Sequence, residues 1–336
     1  MRFGPVPAAE AAGAVLAHSV RLERGRLRKG LVLSAADVDA LVAAGINEVV
    51  VARLEPGDLG EDQAAGRIAA ALVPDPGAVG LRVTEPFTGR VNLVAEGPGV
   101  AVLDVAAIEA MNHVHPMITL ATVPAFQQME AGGMVATIKI ISYAVPGADV
   151  DRAAALVGGA IRLAAPVHRS AGLVVTDIPG GPDNTKGIAA IRGRVEALGM
   201  ELAEVRTVPH ETARLAEALG GIGGEIALIL TGSATSDIDD VAPLAVRVAG
   251  GRVERFGMPV DPGNLLFLGQ LGERPVIGLP GCARSPALNG ADWVLSRVAC
   301  GIEVRGEDIA GMGVGGLLKE IPTRPQPRSG RRRETE

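Results

Sequence analysis

Aromatic side chains are scarce in this sequence of 336 residues, where phenylalanine, tyrosine and tryptophan together make up 2%. Proteins that bind single-stranded nucleic acids stack the bases on such rings, so their scarcity argues against that class. The net charge of −6 at pH 7 also argues against a general nucleic-acid binder, which needs a basic face. We therefore expect no nucleic-acid partner, and we expect cores built from Ala, Val, Leu and Ile.

Cysteine and long apolar runs are also in short supply. Cys282 and Cys300 are the only cysteines, too few for a disulfide scaffold. No uninterrupted apolar run is long enough to span a bilayer, and no signal peptide is visible. These absences predict a cytoplasmic protein with no membrane partner.

The chain is long enough for two or three domains with separate cores. Shifts in composition predict four parts: an N-terminal connecting region (1–80), an α+β domain of unknown role (81–165), an α/β domain (166–305), and a C-terminal segment (306–336). From Pro322 that last segment is rich in Pro, Arg and Gly, and we expect it to be mobile.

Strand-like and helix-like segments alternate from residue 171 onward. This alternation predicts an α/β fold, a three-layer αβα domain with a mostly parallel sheet, beside a smaller N-terminal α+β region. Helices are also predicted nearer the N-terminus, over 35–44 with Ser34 as N-cap and over 150–162. Two helices of the α/β domain are predicted over 238–248 and 285–299, the second with Ser285 as its N-cap. Ligands of such sheets bind at the carboxyl ends of the strands.

The first polar loop at this edge runs from Leu230 to Asp240. It carries the hydroxyls of Thr231, Ser233, Thr235 and Ser236 beside Gly232, followed by a helix N-terminus. Such a loop can cradle a phosphate. Asp237, Asp239 and Asp240 would repel a phosphate unless a divalent cation bridged them. The alternative is structural, with Ser236 or Asp237 simply capping the helix.

Two further polar segments follow predicted strands. In the first, Pro280 and Gly281 precede Arg284 and Ser285, and the arginine is suited to an anionic group. In the second, Asp183 and Asn184 begin a helix as capping residues. Either segment could instead be a purely structural turn. Cys282 is interpreted as a small buried side chain rather than a reactive thiol, and His210 as a turn or cap residue.

The order and spacing of these loops resemble one enzyme family, the molybdopterin molybdotransferases. The resemblance rests on Gly232, Thr235 and Asp240 in the first loop, on the segment Gly278-Leu279-Pro280-Gly281, and on Pro262, Gly263, Gly269 and the Asp183-Asn184 turn. The segments Leu279–Pro286 and Gly311–Ile321 are closer to a variant that is often fused to a molybdenum cofactor nucleotidyltransferase. No segment of that transferase type occurs in this sequence.

The resemblance implies molybdopterin, or its AMP adduct, as the ligand and molybdate as a substrate. It implies a phosphate cradle at Thr231–Ser236, Mg²⁺ held by Asp237 and Asp240 as the catalytic residues, a homodimer, and a separate nucleotidyltransferase as partner. The sequence departs from the family pattern at 176–180, where a glutamate is missing, and at Ser233, Asn264 and Ala283. These departures leave three hypotheses open: an enzyme, a non-catalytic molybdopterin carrier or partner module, and a nucleotide pyrophosphatase-like domain.

Overall fold

A computed structural model describes residues 1–181 and 183–318. The chain forms two compact units, the first comprising Met1–Gly97 and Ala101–Leu163, the second Pro98–Val100 and the described residues from Ala164 onward. The segment from Pro322, predicted to be mobile, lies outside the described residues. None of the described helices is both long enough and apolar enough to cross a membrane.

The helices and strands up to residue 164 are short. The helices are α1 (Ala35–Ala43), α2 (Glu61–Leu72), α3 (Val105–Asn112) and α4 (Gly147–Leu156). The strands are β1 (Arg2–Pro7), β2 (Val15–Leu16), β3 (Val20–Arg21), β4 (Arg26–Leu27), β5 (Glu48–Arg53), β6 (Asp58–Gly60), β7 (Leu81–Val83), β8 (Arg90–Ala95), β9 (Gly99–Leu103), β10 (Ile118–Thr122), β11 (Gln128–Met129), β12 (Met134–Ile140), β13 (Ala144–Pro146) and β14 (Ile161–Ala164).

The first unit contains two apolar cores. In the N-terminal part, β5 pairs with β1 and β2, and α1 buries Val38 and Leu41 beneath this sheet. Helix α1 begins where the sequence predicts, because Ser34 and Asp37 form a capping box. The larger core lies under the sheet β10-β12-β8-β7, whose apolar faces pack against α2, α3 and α4.

In the second unit, strands and helices alternate along most of the chain. Its helices are α5 (Asn184–Glu196), α6 (Thr212–Gly221), α7 (Val241–Val248), α8 (Gly290–Ala299) and α9 (Gly306–Gly311). Its strands are β15 (Ser170–Asp177), β16 (Glu201–Pro209), β17 (Ile226–Leu230), β18 (Arg252–Phe256), β19 (Phe267–Leu271) and β20 (Arg274–Leu279).

These strands form one sheet in the order β16-β15-β17-β20-β19-β18. The pairs β15–β16, β15–β17 and β17–β20 are parallel, whereas β19 pairs antiparallel with both β20 and β18. The mixture of helices and strands around this sheet confirms the predicted α/β class.

Side chains of β15 alternate between two apolar cores because successive residues of a strand point to opposite faces. Leu173 and Val175 belong to a core shared with α5 and α8. Val174 belongs to a second core shared with α6 and α7. All three side chains are fully buried, so the strand is apolar without alternation from Ala171 to Val175 and polar only at its ends.

Several predicted boundaries differ from the structure. Helix α8 begins at Gly290 with Asn289 as its N-cap, so Ser285 is not a helix cap; a short 3-10 turn over Gly281–Arg284 comes first. Helix α7 begins at Val241 rather than Ile238. The helix predicted over 150–162 ends at Leu156, since Gly159 takes a positive φ of 69° and leads into β14.

Candidate functional site

Three polar loops meet at the carboxyl ends of the parallel strands. Leu230, the last residue of β17, is aligned with Val175 of β15 on one side and with Leu279 of β20 on the other. The segments that follow these strands therefore leave the sheet at the same edge. This placement brings the predicted Asp183–Asn184, Thr231–Asp240 and Pro280–Ser285 segments to one region of the second unit.

Arg284 joins all three loops. Its Nη1 donates to Asn184 Oδ1 at 2.8 Å, and its Nη2 donates to the Thr231 carbonyl oxygen, also at 2.8 Å. Burial lowers the pKa of the Arg284 guanidinium, and the negative charge of Asp177 opposes that shift. A guanidinium nevertheless stays protonated at neutral pH, so this edge has a fixed positive charge between its loops.

A glycine in the neighbouring helix makes room for Arg284. A Cβ added at Gly187 would lie 3.1 Å from Arg284 Nη1 and 3.1 Å from Leu230 Cδ2, which is closer than side chains usually pack. No sequence pattern identifies Gly187, because a glycine inside a helix usually only lowers the stability of that helix.

The first loop is held partly by its own hydroxyls. Thr231 and Thr235 are buried, with their Oγ1 atoms 3.4 Å apart. The Gly232 amide donates to Thr176 Oγ1 at 2.9 Å, and a Cβ at Gly232 would lie 2.7 Å from the Thr176 carbonyl oxygen. Among the hydroxyl-bearing residues of the predicted phosphate cradle, Ser233 and Ser236 are exposed.

Thr176 also contacts His210, which the sequence assigned to a turn. The His210 Nδ1 lies 2.8 Å from Thr176 Oγ1, and the His210 amide donates to the Asp177 carbonyl oxygen. His210 therefore lies beside the first loop, linked to Gly232 through a shared threonine hydroxyl. No spacing in the sequence relates it to the first loop.

The three aspartates of the first loop have different roles. Asp240 is the N-cap of α7, accepting from the Val241 amide at 2.7 Å and from the Ser236 amide at 2.9 Å. The expectation that Ser236 or Asp237 caps this helix is thus wrong. Asp237 Oδ1 accepts from the Asp239 amide, while the Asp239 carboxylate forms an ion pair with Arg247 at 2.5 Å.

The first loop has carboxylate oxygens that could contribute ligands to a divalent cation. Nowhere in residues 1–181 and 183–318 do three or more His, Cys, Asp or Glu side chains converge as a metal site. Each Asp240 oxygen already accepts one amide but retains a further lone pair. Asp237 and Asp240 could therefore supply only part of a coordination shell, as is usual for Mg²⁺ completed by phosphate oxygens and water.

The second loop is anchored by Arg194 of α5, a residue outside the predicted site. Arg194 is only 8% exposed and pairs with Asp292 at 2.7 Å. Its terminal nitrogens donate to the carbonyl oxygens of Ala283 (2.9 Å), Ser285 (2.8 Å) and Ala287 (2.9 Å). An arginine within a helical pattern is normally exposed, so the sequence contains no signal for this role.

The two glycines of the Gly278-Leu279-Pro280-Gly281 segment have different surroundings. A Cβ at Gly278 would overlap the ring of Phe267, which is itself buried. A Cβ at Gly281 would meet nothing within 4 Å. Gly278 is thus required by packing, whereas the backbone at Gly281 and the Ser285 side chain are open to an approaching ligand.

The third turn contributes Asp183 and Asn184. Asp183 is the N-cap of α5, and hydrogen bonds from Thr185 hold the pKa of its carboxyl below the usual value. Asn184 accepts from Arg284 and lies 3.5 Å from Asp177. Asn184 is therefore a link between Arg284 and the end of β15, while Asp183 is exposed and engaged in capping.

Comparison with known proteins gives limited similarity. The profile of a domain of unknown function (DUF8806) matches residues 5–53. No curated protein matches the sequence. The molybdopterin biosynthesis MoeA protein from Pyrococcus horikosii is a structural neighbour at 15% identity, with 90% of this chain and 76% of that chain covered and a TM-score of 0.31. A molybdenum cofactor biosynthesis protein from Pyrococcus furiosus has 13% identity, coverage of 92% and 65%, and a TM-score of 0.23.

Proposed function

We propose that the second unit binds molybdopterin, or its AMP adduct, and acts in molybdenum cofactor biosynthesis. The observation that carries the proposal is Arg284, whose guanidinium bonds to loops from two other strands at one sheet edge. These are the same loops whose sequences resemble the molybdopterin molybdotransferases. The Arg284 guanidinium, the exposed hydroxyls of the first loop and the accessible backbone at Gly281 are groups that can bind a phosphate-bearing ligand.

In this proposal the ligand's phosphate lies against Ser233, Ser236 and the backbone of Gly232. Arg284 and Ser285 contact a second anionic group, either on the pterin side or the incoming molybdate. Pro280 and Gly281 leave space for that approach, since nothing lies within 4 Å of a Cβ at Gly281.

Asp237 and Asp240 would hold Mg²⁺ together with phosphate oxygens and water. The cation would neutralise phosphate charge and fix its position. Because Asp240 also caps α7, its carboxylate is already held in one orientation by two backbone amides. That pre-set orientation favours binding without reorganisation of the loop.

Assistance of molybdate insertion is the enzymatic form of the proposal, and a non-catalytic carrier is the alternative. The segment Thr176–Gly180 has no glutamate, and Asn264 stands where the related pattern has lysine. These substitutions remove a carboxylate and a cation from the pattern, and they favour the carrier. A separate nucleotidyltransferase as partner and a homodimer are part of the same proposal.

The deciding experiment gives the purified chain molybdopterin-AMP, molybdate and Mg²⁺, and measures AMP release together with pterin binding. AMP release supports the enzyme, whereas stoichiometric pterin binding without AMP release supports the carrier. If neither pterin nor AMP binds, the proposed function is wrong in both forms.

Site variants test the placement of the ligand. Arg284→Ala and Asp240→Asn should each weaken pterin binding by about tenfold or more, as expected for loss of a charge-assisted contact. Arg192→Ala, an exposed arginine on α5, and Asp239→Asn, in the same loop as Asp240, are the matched controls. Unchanged affinity in both site variants would show that the ligand does not bind at this edge.

A further inference from the structure

A second candidate site lies in the first unit, away from the loops described above. It is a cavity of about 820 Å³ with a strongly basic lining. Its lining includes four cationic side chains, one carboxylate and one aromatic ring: Arg26, Arg28, Lys29, Lys139, Glu61 and Tyr143. In a chain of net charge −6, this is a local excess of positive charge.

The single carboxylate of the lining does not neutralise these cations. Glu61 lies 3.7 Å from Lys139 Nζ, and Lys139 also donates to the Thr88 carbonyl oxygen. Burial raises the pKa of the Glu61 carboxyl despite that neighbour. Within residues 1–181 and 183–318, no carboxylate pairs with Arg26 or Arg28.

Strand pairing and hydrogen bonds hold the backbone segments that carry the lining residues. Arg26 belongs to the hairpin formed by β3 and β4, and the Lys29 amide donates to Ser19 Oγ at 2.9 Å. On the facing side, Tyr143 donates its hydroxyl to the Ala17 carbonyl oxygen at 2.9 Å. Lys29 Nζ lies 6.0 Å from the centre of the Tyr143 ring. Three of the four cations thus lie on the second strand of the hairpin or directly after it, and one of them, Lys29, lies beside the Tyr143 ring.

The size of the cavity limits the kind of anion it would accept. A free inorganic phosphate would fill little of 820 Å³, whereas cavities of several hundred Å³ accommodate complete organic ligands. A guanidinium group can donate two parallel hydrogen bonds to phosphate oxygens, and the Tyr143 ring in the same lining offers an apolar surface for an organic group. We propose that this cavity binds an organic phosphate, preferably a diphosphate, through Arg26, Arg28, Lys29 and Lys139. This site is independent of the function proposed for the second unit.

The test is a titration of the full chain with ADP and with inorganic pyrophosphate, by calorimetry at low salt and without Mg²⁺. The variant Arg26→Gln/Arg28→Gln removes two lining cations. Its matched control is Arg21→Gln/Arg24→Gln, which removes two exposed arginines of the same hairpin that do not line the cavity. Both double variants change the net charge equally and replace exposed residues.

We expect the lining variant to weaken ADP binding at least tenfold and the control to change it less than twofold. Tighter binding of ADP than of pyrophosphate assigns the site to organic phosphates, and equal affinities assign it to the diphosphate group alone; both support an oxyanion site here. Absence of binding by either probe overturns the proposal, as does an equal loss in both double variants, which would indicate general charge attraction. Binding of ADP should persist in Asp240→Asn, which separates this result from failure of the molybdopterin proposal.

Discussion

Replacing Arg194 with alanine tests whether one buried arginine holds the second candidate loop in place. In the structure its guanidinium joins α5 to three backbone carbonyls of residues 283–287 and to Asp292. Asp292 also accepts from the Asn289 amide in the capping box that begins α8. Alanine at 194 would therefore remove the only side chain that, among the described residues, links α5, the loop and the start of α8 by hydrogen bonds.

The expected cost follows from these contacts. Removing one partner of a buried ion pair typically costs about 3–5 kcal/mol, because the remaining charge loses its compensation. Asp292 keeps its capping hydrogen bond, and Ser285 and Ala287 are exposed, so water can hydrate their carbonyls. We therefore expect a loss of about 3 kcal/mol in the free energy of unfolding of the second unit. Arg194→Lys should lose about half of that, since a lysine keeps the charge but not the planar fork.

The assay is urea denaturation followed by tryptophan fluorescence. Trp293 is the only tryptophan of the chain, lies next to Asp292 in α8 and packs against the core of the second unit. Its emission therefore reports unfolding of that unit. Arg192→Ala, two residues away on the exposed face of α5, is the control and should change the free energy by less than about 0.5 kcal/mol. If Arg194→Ala costs no more than Arg192→Ala, the assigned anchoring role is wrong.

Three further predictions use stability measurements. Asp240→Ala should cost about 1 kcal/mol in unfolding free energy and Asp240→Asn much less, because asparagine is an equally good N-cap; equal losses would contradict the capping assignment. Gly278→Ala should destabilise by roughly 3 kcal/mol or more through overlap with Phe267, whereas Gly281→Ala should keep the melting temperature; two similar melting temperatures would contradict this difference. Burial raises the pKa of Cys300 from 9.0 to about 11, so the thiol is favoured over the thiolate in the folded state. Stability should then fall as pH rises from about 9 toward 11. Burial also raises the pKa of Tyr143, so a pH series of melting temperatures should show a fall in both wild type and Cys300→Ala, but a larger one in the wild type; equal falls would contradict the role of Cys300.

The elements that the sequence predicts well are those with local signals. Ser34 and Asp37 form a capping box, Asp183 begins α5, and the apolar runs of β15 and β17 are buried strands. Their signals lie within a few residues of each other, so neighbouring side chains alone determine them. The placement of three polar loops at one sheet edge also follows from the alternation of strands and helices.

The parts that the sequence could not predict depend on distant contacts. Arg194 is paired with Asp292, and Arg284 with Asn184, across about a hundred residues in each case. Ser285 and Pro286 resemble a helix cap and therefore predict too early a start for α8. The capping box of this helix is formed by Asn289 and Asp292 instead. The basic cavity of the first unit combines the β3–β4 hairpin with Lys139 and Tyr143, which no local pattern relates.

The strand order of the second unit has a consequence for synthesis of the chain. Strand β20 lies between β17 and β19 in the sheet, although both are made before it. Until residues 274–279 leave the ribosome, β17 exposes an apolar edge with unpaired amides and carbonyls, and the β18–β19 hairpin has no strand to join. Nascent chains stopped before residue 274 should thus be prone to aggregation. Because Arg284 follows β20, the sheet edge at which we propose ligand binding is completed only after that strand has been made.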